Sequence, residues 1–119
     1  MSLSEHSEQV AFVRQLTRAR ICFTAVPNGG IRDKKSARAI SAEGVQAGFP
    51  DLLILDRPPN HPDRVGLAIE MKVADRKKGK VSAKQLKWLD LLENRNWTVL
   101  VCYGVTEAIQ CMRDLGYKI

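Results

Sequence analysis

The stretch Gly66-Leu67-Ala68-Ile69-Glu70-Met71-Lys72-Val73 decides how the rest of the chain is read. It has the make-up of a buried strand, yet it carries two charges. Strand side chains alternate between faces, so Leu67, Ile69 and Met71 share one face and Ala68, Glu70 and Lys72 the other. A carboxylate and an ammonium inside an apolar run are costly unless something binds them. A second anomaly of this kind stands upstream, in Gly48-Phe49-Pro50-Asp51-Leu52-Leu53-Ile54-Leu55, where an acid heads an apolar strand. Two strands that each deliver a carboxylate, one with a lysine beside it, have the layout of a metal-dependent phosphodiesterase site.

The tripeptide acid-any-Lys is weak by itself. Random placement of the acids and lysines of this chain gives about one match, and the chain holds three: Asp33-Lys34-Lys35, Glu70-Met71-Lys72 and Asp75-Arg76-Lys77. Only the middle one lies in an apolar strand; the others sit among charges. The bland alternative for Glu70 and Lys72 is a cross-strand salt bridge on a half-exposed sheet. For Asp51 it is a turn or cap residue after Pro50.

A length of 119 residues predicts one domain spanning 1–119. Apolar content of 45% with 27% charged residues is that of a soluble globular chain. No run approaches the length needed to span a bilayer, and Met1 to His6 lacks the basic and apolar regions of a signal peptide. Cys22, Cys102 and Cys111 lack metal-type spacing; Cys22 and Cys102 are expected as small core hydrophobes in strands. A reducing cytoplasm is expected. The net charge of +6 favours an anionic partner.

Ser2 and Glu5 have the form of a capping box opening a helix that runs to about Arg20, with Val10, Val13, Leu16 and Thr17 at helical spacing and Phe12 four residues before Leu16. Glu5, Glu8 and Gln9 share a face of its first turns, where acids also suit the helix dipole. Ile21 to Val26 reads as a strand ended by Pro27-Asn28-Gly29-Gly30. That turn is either simply tight or a close backbone approach to a phosphate, with Asn28 offering its amide. Arg32 to Glu43 reads as a short helix, basic at its start, which Gly44 to Gly48 breaks. After the Asp51 strand, Asp56 to Arg64 is a turn-rich loop whose His61 is expected in solvent. Beyond the Glu70 strand, Arg76, Lys77, Lys78 and Lys80 form the densest basic patch, placed where a phosphate backbone would run if the carboxylates are a site. Ser82 caps a helix from Ala83 to about Arg95, with Leu86, Leu89 and Leu92 inward and Gln85 free to face solvent or site. Trp97 to Tyr103 is a near-continuously apolar strand, read as central. Val105 to Leu115 is a closing helix ended by Gly116.

The order is thus α-β-α-β-β-α-β-α. A helical crossover joins the Glu70 and Tyr103 strands and demands a parallel pair. The Asp51 and Glu70 strands, joined by a loop, are expected antiparallel. The fold class is α/β, a mixed four-stranded sheet flanked by helices.

Glu5 with Gln9, Pro27-Asn28-Gly29-Gly30, Gly48-Phe49-Pro50-Asp51-Leu52, Ile69-Glu70-Met71-Lys72, and Ser82 with Gln85 are together similar to the motif set of the PD-(D/E)xK nucleases. Within that superfamily the chain resembles the stand-alone viral and phage type of VRR-NUC domain. The resemblance implies a restriction-endonuclease-like core and an Mg²⁺-dependent endonuclease acting on branched DNA such as four-way junctions, with Mn²⁺ able to substitute. It implies Asp51 and Glu70 as metal-binding carboxylates, the Met71 carbonyl as a further ligand, Lys72 as catalytic lysine, Glu5 as helix glutamate and Gln85 as the glutamine of the second long helix. Glu8 could occupy the face of Glu5, and the number of metals is open. Asn28, Gly29, Arg32, Lys77 and Lys78 are the expected DNA contacts. A homodimer is expected, with Trp88, Trp97 and Tyr117 as aromatic groups hard to place in one small core; neither a membrane nor a small-molecule cofactor is. A viral source would put the protein in a bacterial host's cytoplasm. The rival function is a non-catalytic nucleic-acid-binding module on the same fold. Intact Asp51, Glu70 and Lys72 favour the enzyme.

Overall fold

A computed structural model describes residues 3–27 and 34–119. Its elements follow in the expected order: α1 (Glu5–Arg18), β1 (Phe23–Ala25), α2 (Lys34–Ala42), β2 (Leu52–Ile54), β3 (Leu67–Lys72), α3 (Ala83–Glu93), β4 (Thr98–Tyr103) and α4 (Val105–Asp114). The sheet order is β1-β2-β3-β4. β1 and β2 pair antiparallel, β2 and β3 antiparallel, and β3 and β4 parallel, the crossover through α3 enforcing the last. The β1–β2 ladder reaches one residue past each strand end, with Val26 N–H donating to Asp51 O and Leu55 N–H to Cys22 O, both at 2.8 Å.

The alternation of β3 gives the sheet two unlike faces. On one, Leu52, Ile54, Leu67, Ile69, Met71 and Cys102 meet Phe12 and Leu16 of α1 and Ala108 and Met112 of α4 in the main core. Each large apolar side chain there contributes about 1.5–3 kcal/mol through its burial. On the other face lie Leu53, Ala68, Glu70 and Lys72, with α3 laid against it through contacts to β4 and to Lys72.

Several expectations need correction. Ser4 is the N-cap of α1, accepting from Ser7 N–H at 3.1 Å, so the helix starts two residues later than a Ser2 cap implies. The buried stripe of α1 is Glu8, Phe12 and Leu16, not one through Val10, which is exposed. β4 is an edge strand rather than a central one; α3 and α4 cover its two faces, and that cover explains its apolar run. Leu86 faces outward and is 57% exposed, because the inward stripe of α3 passes through Gln85, Leu89 and Leu92. Cys22 is exposed while Cys102 is buried. Tyr117 is a core residue whose hydroxyl donates to Asp56 O at 2.6 Å, so it gives no support to an aromatic interface.

Candidate active site

The strand register assembles the site. Leu52 stands opposite Ile69, and one step further along this antiparallel pair sets Asp51 opposite Glu70 on the face away from the core. The Gly48 turn fixes this end of β2. A Cβ on Gly48 would lie 2.8 Å from the Lys84 backbone and 3.0 Å from Gln85 N, and its φ is +86°. Only glycine lets the turn lie this close to the first turn of α3. Asp51 is held by its own contact with β3, its Oδ2 accepting from Met71 N–H at 2.7 Å.

Glu70 is 2% exposed and Lys72 6%. Burial pushes the Glu70 carboxyl up to about 9, with a hydrogen bond to Asp51 and the Asp51 charge adding to the rise and Lys72 opposing it. A desolvated carboxyl that faces a second one keeps its proton more readily than a carboxyl in water. Among the described residues Lys72 forms no cross-strand salt bridge of the kind in the bland reading. Its Nζ donates to Gln85 Oε1 at 3.0 Å. Gln85 is itself fixed as the N3 residue of a capping box: its Oε1 accepts from Ser82 N–H at 2.9 Å and its N–H donates to Ser82 Oγ at 3.2 Å. The cap of α3 therefore sets the position of the ammonium.

Of the two helix glutamates, the structure brings Glu5 to the site and takes Glu8 away. Glu5 is on the exposed first turn; partial desolvation raises its carboxyl above the ordinary range, against Lys72 and with Asp51. Its charge is felt in turn by Glu70. Glu8, 5% exposed, caps α4 instead: its Oε1 accepts from Val105 N–H at 3.1 Å. The N-cap position of α4 is Gly104, which has no side chain to do so, and a Cβ there would meet Glu8 Oε2 at 3.0 Å. The sequence signal for this role is the Gly at an N-cap where Ser or Asp is usual.

The basic turn after β3 folds back over the same end of the sheet. Asp75 organises it, accepting from Lys77 N–H through Oδ1 and from Lys78 and Gly79 N–H through its carbonyl, at 3.0–3.1 Å. Gly79 lies against Lys72 and the Tyr103 ring, where a Cβ would come within 3.0 Å of Lys72 Cβ. Lys77, Lys78 and Lys80 are exposed. Arg76 behaves differently: it pairs with Glu107 and stacks over the Tyr103 ring at 4.3 Å, pinning the turn to α4 and β4. Asn28, Gly29 and Arg32 lie outside the described residues.

The donor set suits a hard divalent cation. Asp51 and Glu70 offer carboxylate oxygens and β3 offers backbone carbonyls, the oxygen ligands that Mg²⁺ takes while keeping several waters. A dication would offset the burial, and the Asp51 charge beside it, that raise the Glu70 carboxyl. Among the described residues no three His, Cys, Asp or Glu side chains converge on one point. The fit therefore rests on two carboxylates, with Glu5 nearby.

A family model for the VRR-NUC domain matches residues 3–106. A solved structure of a VRR-NUC domain protein matches with a TM-score of 0.78 and 20% identity, covering 98% of this chain and 90% of that one. No curated protein matches. Among the described residues no helix is long and apolar enough to cross a membrane.

Proposed function

The chain belongs to the VRR-NUC domain family of nucleases, and on that premise we propose that it is an Mg²⁺-dependent endonuclease of the PD-(D/E)xK type that cuts branched DNA. The observation that carries the reading is buried Glu70 facing half-buried Asp51, with Lys72 beside them held by Gln85. Asp51, Glu70 and the Met71 carbonyl would hold the cation, Mn²⁺ serving in place of Mg²⁺. When bound, the cation supplies Lewis-acid stabilisation of the charge that develops on the phosphate oxygens. Lys72 orients the attacking water and stabilises the same charge with its ammonium. Gln85 holds that ammonium in place, and Glu5 adds a negative group on the solvent side of the carboxylates. Lys77 and Lys78 take the DNA backbone, with Asn28, Gly29 and Arg32 as further contacts.

A homodimer belongs to this proposal. Resolving a four-way junction needs two cuts, and a two-fold dimer would present two sites with matching symmetry. Light scattering at micromolar concentration should then report twice the 13.3 kDa chain mass. A monomer would argue for a flap or single-strand nuclease.

Cleavage of flap, fork, four-way-junction and linear DNA with and without Mg²⁺ tests the function. The expected result is cation-dependent cutting that prefers branched substrates and is lost in Asp51→Ala and Glu70→Ala. Tight DNA binding with no cutting under any divalent cation would return the chain to a non-catalytic binding module.

A further inference from the structure

A pocket of about 420 Å³ opens on the same sheet face as the carboxylates, lined by Val26, Leu53, Phe49 and Trp88, with Glu43 and Gln46 also contributing. Phe49 and Trp88 meet edge to face with their ring centroids 5.3 Å apart. Leu53 is two residues from Asp51, so it shares that residue's face of the strand. Trp88 is three residues beyond Gln85, one turn along the same side of α3. The pocket and the carboxylate site are thus neighbours across two elements at once.

The lining tells what could enter. A volume of this order lies in the range of pockets that enclose a small planar ligand, about 300–1,000 Å³. Its walls are aliphatic and aromatic, and among the described residues its one charged group is the Glu43 carboxylate. A phosphate would be repelled there. A nucleobase has an apolar face for the aromatic and aliphatic walls, and its exocyclic amino group can donate to a carboxylate. Lys84 and Lys87, exposed on the helix that carries Trp88, would attract a DNA backbone running along it.

We infer that this pocket receives one unstacked nucleobase of the DNA substrate, close to the bond that is cut. The inference rests on the nuclease reading and gives it a source of structure selectivity. A base in a duplex must first be unpaired and unstacked to enter, whereas a base at a branch point or gap is already free to turn out.

An abasic scan tests this. Branched oligonucleotides, each missing one base at successive positions around the cleaved bond, are assayed for binding without divalent cation and for cleavage with Mg²⁺. One position should lose about tenfold in affinity when its base is removed, the scale of a single aromatic stacking interaction. That loss should vanish in Trp88→Ala and remain in Trp88→Phe. A scan that is flat across all positions in the wild-type protein overturns the inference whether or not Trp88→Ala folds. So does a single-position loss that persists undiminished in folded Trp88→Ala. A single-position loss that depends on Trp88, with no substrate ever cut, would uphold the pocket and sink the nuclease reading instead. Cutting with a flat scan would do the reverse.

Discussion

Two glutamates are buried in this molecule, and they have opposite surroundings. Glu8 lies among Phe12 and Leu16 on α1, and its carboxylate accepts from the first N–H of α4 at Val105. Glu70 lies on the opposite sheet face against the carboxyl of Asp51. The positive end of a helix suits a negative charge; a second carboxyl does not. The first site is complete within the protein, whereas the second is complete only with a proton or a cation. Burial alone therefore does not mark a functional acid. What the acid faces decides.

The largest expected effects break this comparison through activity. Glu70→Gln keeps the shape and removes the charge, and should lower Mg²⁺-dependent cleavage by at least about 10²–10³-fold, the scale of one missing electrostatic stabiliser. Glu8→Gln, scored per folded molecule, should cut at the wild-type rate. Equal losses in the two variants would erase the distinction. Lys72→Ala should likewise lose turnover while keeping metal affinity, because the role proposed for it lies in the transition state. Isothermal titration with Mn²⁺ checks this, and an affinity as low as that of Glu70→Ala would assign Lys72 to the metal site itself.

Stability should separate the two acids in the other direction. Glu8→Ala leaves the Val105 N–H without its acceptor and should cost about 1–3 kcal/mol in urea unfolding. Glu70→Gln should be neutral or stabilising without metal, since it replaces a carboxyl that burial disfavours. If Glu70→Gln is the more damaging of the two, the carboxyl pair is holding the fold together rather than standing ready for a cation.

The pH dependence sharpens the same point. Unfolded, Glu70 releases its proton near 4.5; folded and metal-free, near 9. Between these values the folded chain holds the extra proton, so this residue lowers stability progressively as pH rises through the window. Metal-free wild type should therefore lose more stability than Glu70→Gln between about pH 5 and 9. Superimposable melting curves across that range would show Glu70 to be solvated.

The smallest effect concerns the turn after β3. Neutralising Lys77 and Lys78 should reduce the slope of log K against log salt by about 0.9 for each duplex phosphate that they pair with in the wild type. Neutralising Arg76 should instead loosen the turn, since Arg76 is held by Glu107 and Tyr103. A slope unchanged in the double lysine variant makes the run a solvated loop.

Much of this was legible in the sequence, and the exceptions have physical causes. The alternation of β3 exposes its anomaly because apolar neighbours frame Glu70 and Lys72 on both sides. The crossover and the loop fix parallel and antiparallel pairing by length alone. Glu8 hides the true stripe of α1: an acid in line with Phe12 and Leu16 reads as surface until its partner on α4 is seen, 97 residues away. For the same reason Glu5 and Glu8 are indistinguishable by spacing. β4 looks central because it is apolar on both faces, but helices cover those faces at a sheet edge as well as at its centre, so the apolar run does not tell the two apart. Ser82 and Gln85 have capping-box spacing, yet nothing local tells that the Gln85 carbonyl also receives Lys72.

The central claim is that Asp51 and Glu70 form a divalent-cation site. Calorimetric titration of Mn²⁺ into wild type, Glu8→Gln and Glu70→Gln, repeated near neutral pH in buffers of different ionisation enthalpy, tests it most directly. Wild type and Glu8→Gln should bind the ion and release a proton as they do so, the one now held by the carboxyl pair. Glu70→Gln should lose both the binding and the release. Equal affinity and equal proton release in Glu70→Gln would contradict the claim.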